Sequence, residues 1–167
     1  TMPALEAGAP FLDGIVFKLP ETDGSGWPPW LPAFDRRAWT ENDVALDTLR
    51  DVRWGQFRHN FISLGPGPSY DEALVSWFDD EGWAVVEANM RLFSQVLRVS
   101  GARGVFFDVE NYSGLWHYWH RASLTATPPV KICHYPGFTF AQVEAKVRQR
   151  GRQFIEALQA RKPDLVI

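Results

Sequence analysis

Polar and apolar positions along the chain follow two periods, and the period switches several times. Residues 15–19 (Ile-Val-Phe-Lys-Leu) follow an Asp13-Gly14 turn signal and stop at Pro20, which predicts a short strand. Residues 57–64 predict a second strand, closed by Gly65-Pro66-Gly67-Pro68. Residues 104–110 predict a third, and a fourth is expected to begin near Leu165. Between the strands the spacing lengthens to that of helices. Val44, Leu46, Leu49 and Val52 predict a short helix capped by Asp43. Val86, Met90, Phe93, Val96 and Leu97 mark a helix within 73–100 that stops at Gly101. Phe140, Val143, Val147, Phe154, Ile155 and Leu158 form one face of a helix opened by Thr139 and Gln142 at capping-box spacing. Residues 2–9 fit the tail of a helix.

Strands and helices in alternation predict a parallel sheet with helical crossovers. The segments after strands, 20–42 and 111–138, are long and aromatic, whereas those after helices are short. A (β/α)8 barrel carries its functional loops after its strands. The expected fold is therefore α/β, a partial (β/α)8 TIM barrel with about four parallel strands visible. A doubly wound sheet is the alternative, but Gly24-Ser25-Gly26 lacks the spacing of a phosphate-binding loop. The chain opens Thr-Met-Pro-Ala-Leu and stops where a strand begins, so residues 1–167 are expected to be a segment of one barrel domain, truncated at both ends. A half barrel leaves open sheet edges, and a dimer or a companion chain is expected to cover them.

Composition narrows the function classes. A length of 167 residues suits one domain, and 46% hydrophobic with 22% charged residues is enough to bury a core. A net charge of −3 with no basic block argues against nucleic acid. No apolar run approaches the roughly 20 residues that span a bilayer, so no membrane partner is expected. The single cysteine, Cys133, excludes an internal disulfide and a cysteine-based zinc cluster. It reads as structural, with only its neighbour His134 as a base. The cellular compartment stays open.

The chemistry concentrates at the end of the third strand. Alternation places Phe106, Asp108 and Glu110 on one face and Val105, Phe107 and Val109 on the other. Two acids at the carboxyl end of a buried strand are costly unless paired, hydrogen-bonded or used. That end is also where α/β folds keep their active sites. Glu110 is the candidate general acid, with Asp108 as the neighbouring carboxylate that tunes it, since like charges raise the apparent pKa of one member of a pair. The structural alternative has Asp108 capping a loop and Glu110 paired with an arginine.

Eight tryptophans sharpen the reading. Trp27, Trp30, Trp39, Trp116 and Trp119 all fall in segments that follow strands. The apolar C–H faces of sugars stack on such rings, although two or three of the five are expected to pack their loops. Trp54, Trp77 and Trp83 are expected in the core or against helices. Candidate substrate contacts are Asn60, Lys18, Tyr112, Trp116, Trp119, His117 and Trp39. His117 and His120 have a spacing that could hold a metal with Asp108 or Glu110, but Trp116 and Trp119 suit an aromatic lining equally. The reading adopted contains no metal and no cofactor.

Residues 104–110 resemble the strand-end motif of chitinase-like glycoside hydrolases, a run of the type DGxDxDxE. The resemblance implies that Glu110 is the acid and Asp108 the carboxylate that orients a substrate acetamido group. Phe106 and Arg103 stand where that family has aspartates. A broader resemblance is to bacterial glycoside-hydrolase-like barrel proteins, carried by Leu12-Asp13-Gly14, Asn60-Phe61 and the run from Phe107 to Tyr112. It implies a carbohydrate-active barrel with a further strand upstream of residue 1. The function expected is glycoside hydrolysis of an oligo- or polysaccharide by carboxylate acid catalysis. The rivals are a glycan-binding barrel without turnover and a metal-dependent hydrolase using His117 and His120.

Overall fold

A computed structural model describes residues 7–19, 31, 33–34, 36–65, 75–108, 120–122, 131–133, 135 and 137–167. Three strands, β1 (Gly14–Phe17), β2 (His59–Leu64) and β3 (Gly104–Phe107), form a parallel sheet in the order β1-β2-β3. Ile15 pairs with Asn60 and Phe17 with Ile62, while Phe61 pairs with Gly104 and Leu64 with Phe107. Val166 continues this order with a parallel bridge to Gly104 on the far edge of β3, where the Val105 N–H donates to the Val166 carbonyl at 2.9 Å. The expected fourth strand is present as this single bridge.

The crossovers carry three helices, α1 (Leu46–Arg50), α2 (Asp80–Ser100) and α3 (Phe140–Gln159). Helix α2 begins at Asp79, whose carboxylate accepts the Gly82 N–H at 2.9 Å. It ends on Gly101 at φ +68°, the left-handed conformation that glycine adopts without steric penalty. Helix α3 opens with the expected capping box, the Thr139 N–H donating to Gln142 Oε1 at 2.7 Å and the Gln142 N–H to Thr139 Oγ1 at 3.3 Å. Asp43 behaves otherwise. Its carboxylate accepts from the N–H and hydroxyl of Thr40, stapling a turn, and α1 starts after Ala45 with no side-chain cap.

All three helices lie on one face of the sheet. Leu19, Ile62, Leu64 and Val105 on that face join Leu46 and Leu49 of α1, Val86, Met90, Phe93 and Leu97 of α2, and Val143, Phe154 and Leu158 of α3 in one core. Arg150 locks α3 to the start of α2. Its guanidinium is buried, donates to the Trp77 carbonyl at 3.0 Å, pairs with Asp80 and lies 5.2 Å over the Trp83 ring. The opposite face carries Val16, Phe61, Ser63 and Phe106, of which Val16 is 53% and Phe106 48% exposed.

The fold differs from the expected barrel. The described residues form an open sheet of three parallel strands with three helices, too few to close into a (β/α)8 barrel, whose eight strands must tilt and stagger to remove every edge. The segment after β3 also departs from a plain repeat, because it contains an antiparallel pair, β4 (His120–Ala122) and β5 (Lys131–Cys133). The pattern of strands, crossover helices and long loops after strands is common to open and closed α/β layers. Closure is set by strand number and tilt.

Candidate functional site

The strand phase decides where each candidate side chain goes. Phe107 faces the helices, with its ring 5.4 Å from Phe154 and 6.2 Å from Phe34. Asp108, one residue on, continues the alternation to the opposite face and is partly buried at the carboxyl end of β3, its N–H donating to the Leu64 carbonyl at 3.1 Å. Lys18 lies one residue beyond β1 on the same face as Val16, since Leu19 turns into the core. The register sets Lys18 level with Ser63 and Phe106. Lys18 and Asp108 are thus two strand spacings and two residues apart, about 12 Å between Cα atoms. Both occupy the carboxyl end of the sheet, on the face the helices leave uncovered.

Asn60 is not brought to them. It shares the phase of Ile62 and Leu64, points to the helix side, and lies four residues (about 13 Å) before the end of β2. It is 2% exposed, its Nδ2 donates to the Phe57 carbonyl at 2.7 Å, and its Oδ1 has no hydrogen-bond partner among the described residues. Trp39 is also taken elsewhere. It is buried edge-on against Phe93 at 6.4 Å, and its N–H donates to Asn89 Oδ1 at 2.8 Å, so it holds its loop on α2. Trp77 and Trp83 stack at 5.7 Å in the core, and Trp54 packs on Phe17 at 5.1 Å with its Nε1 donating to the Ser100 carbonyl, as expected for these three. Glu110, Tyr112, Trp116, His117 and Trp119 lie outside the described residues, as do Trp27 and Trp30. Among the described residues no group of three or more histidine, cysteine, aspartate or glutamate side chains could hold a metal ion.

The carboxyl end of the sheet is walled by segments that the helix N-termini position. The Ala33 N–H donates to the Gly65 carbonyl at 2.9 Å and the Gly65 N–H to the Leu31 carbonyl at 3.1 Å, so Leu31 and Ala33 close against the end of β2. Phe78, just before α2, stacks on Phe138, just before α3, with centroids 3.8 Å apart and planes at 15°. Tyr135 packs on the same Phe78 ring at 5.8 Å and is 7% exposed. Burial pushes the Tyr135 phenol above its usual range, partly opposed by hydrogen bonds to the Trp77 backbone and Ser76, so it remains protonated at neutral pH. These aromatic residues were missed by a reading that counted tryptophans. The signal was the placement of Phe78 and Phe138 immediately before two helix caps that both follow strands.

A cleft of about 280 Å³ lies on the helix side, lined by Phe34, Trp77, Trp83, Phe107, Phe154 and Ile167 among others. Among the described residues no ionisable side chain lines it, and strand alternation turns Asp108 to the other face. The cleft is an opening in the core at the β3 edge. No helix among the described residues is long and apolar enough to cross a membrane. Comparison with protein-family models, curated proteins and solved structures finds no match.

Proposed function

We propose that the protein hydrolyses a glycosidic bond in an oligo- or polysaccharide, with Glu110 as general acid and Asp108 as the carboxylate that tunes it. The observation that carries this reading is the position of Asp108 at the carboxyl end of a parallel strand, on the face the helices leave uncovered. Strand alternation in the sequence predicts the same face for Glu110, which lies outside the described residues. A carboxylic acid held next to a second carboxylate retains its proton to higher pH, which is what protonation of a leaving oxygen requires. Lys18 on the same face and end supplies a cation for substrate hydroxyls. Phe106, 48% exposed on that face, suits the apolar faces of sugar rings.

The test is release of reducing ends from a panel of polysaccharides by wild type and by Glu110→Gln. The variant is expected to lose at least a hundredfold in kcat, the lower range for general acid catalysis, with an unchanged melting temperature. Hydrolysis retained in Glu110→Gln overturns the assignment. Activity abolished by a chelator transfers the reaction to the metal-dependent reading through His117 and His120. Binding without turnover on every glycan leaves a non-catalytic glycan-binding protein.

A further inference from the structure

We infer that Phe138, backed by Phe78, is a sugar-stacking platform that adds a subsite to the carbohydrate site, a proposal that rests on the function proposed above. Three observations converge on this ring. The first is its placement. In a parallel sheet a helix that follows a strand starts at the carboxyl end, so α2 and α3 both begin at the end that carries Asp108 and Lys18, with Phe78 on the helix side of the sheet and the two charged residues on the other side. Phe78 and Phe138 immediately precede the caps of those two helices.

The second is its exposure. One face of Phe138 is covered by Phe78 in a near-parallel stack at 3.8 Å, yet the residue remains 39% exposed. Its neighbour Phe140 is 59% exposed at the start of α3. An isolated exposed apolar residue carries little information. A flat ring stacked from one side on a residue that is still partly exposed presents the kind of surface on which the axial C–H groups of a pyranose stack.

The third is its rigidity. The Phe138 N–H donates to the Tyr135 carbonyl at 3.2 Å, and Tyr135 is buried. Thr139, the next residue, is held by the capping box of α3. The ring is therefore anchored on both sides in sequence and from behind in space. Ordering it on binding costs little conformational entropy, which is the condition for a preorganised recognition surface.

The experiment measures binding of cellohexaose, xylohexaose, mannohexaose and chitohexaose by calorimetry to wild type, Phe138→Ala, Phe138→Leu and Phe138→Trp. The melting temperature of each variant is read alongside. Phe138→Ala is expected to weaken binding of the recognised hexaose about tenfold, the size of one aromatic stacking contact. Phe138→Leu keeps an apolar contact with Phe78 but loses the flat face, so it is expected to weaken binding similarly. Phe138→Trp is expected to retain it. Affinity unchanged in Phe138→Leu and Phe138→Ala overturns the platform, and leaves the hydrolase reading intact when Glu110→Gln is inactive. Failure of wild type to bind any hexaose or to hydrolyse any polysaccharide overturns the carbohydrate reading itself, and the platform with it.

Discussion

Single polar residues inside the core do much of the positioning. Asn89 is 1% exposed on α2, accepts the Trp39 N–H at 2.8 Å and donates to the Arg37 carbonyl at 2.9 Å. One side chain thereby satisfies a backbone donor and a backbone acceptor of the segment that leads into α1. Replacement by alanine leaves both groups without that partner, and at least one stays buried. Asn89→Ala is expected to destabilise the protein by about 1–3 kcal/mol, read from the midpoint of denaturant unfolding with an unchanged slope. A loss below a few tenths would show that water replaces the side chain. Trp39 and Asn60, both candidate substrate contacts from sequence, are buried in the fold. Nothing local distinguishes a tryptophan that lines a cleft from one that seals a loop, because both sit in the same kind of polar, proline-rich segment. Asn60 has a recognisable strand position, but no local period says that its face is the one the helices cover.

At the scale of elements, the sheet depends on close backbone approach at one edge. A Cβ on Gly104 would fall on the Val166 backbone, so only glycine allows the bridge at that position. Gly104→Ala is expected to push Val166 off β3, remove the two hydrogen bonds that join them and cost about 1–3 kcal/mol. Faster hydrogen exchange at the Val105 amide is the specific readout. Gly151 provides the contrast. It lies within α3 with nothing near its missing side chain, so Gly151→Ala is expected to stabilise by about 1 kcal/mol through helix propensity. Helix boundaries were the most legible elements. Gly101 and the Thr139–Gln142 box act through neighbours within a few residues, whereas Asp43, an equally local signal, turns to Thr40 and does not cap α1. The β4–β5 pair was not legible, because its short strands sit in a stretch whose residue types read as loop.

For the whole molecule, the junction between α2 and α3 is held by charge. Asp80 sits at the first turn of α2, and Lys146 and Arg150 reach it from α3. Hydrogen bonding from Lys146, then from Arg150, holds the Asp80 carboxyl below its ordinary value of 3.8. A carboxylate with a depressed folded-state pKa stabilises the fold at pH above 3.8, and that contribution disappears as the pH falls through the folded value. Wild type is therefore expected to exceed Asp80→Asn in unfolding free energy at pH 7, with the gap closing towards pH 2. A gap that does not change with pH would show that the carboxylate is not the group responsible. Because Asp80 is open to water, high salt is expected to narrow the same gap at pH 7. By itself, the sequence determined the alternation of strands and helices, the parallel α/β class, the Gly101 stop, the Thr139–Gln142 capping box, and the pairing of Phe107 with one face and Asp108 with the other. These follow from periods and hydrogen bonds that close within a few residues. Tertiary structure alone decided that the sheet stays open, that the helices take the face of Ile62 and Leu64, and that Trp39 and Asn60 turn inward. It also decided that Phe78 and Phe138, 60 residues apart, meet as one stack. Each of those outcomes depends on contacts between distant segments, which no local period encodes.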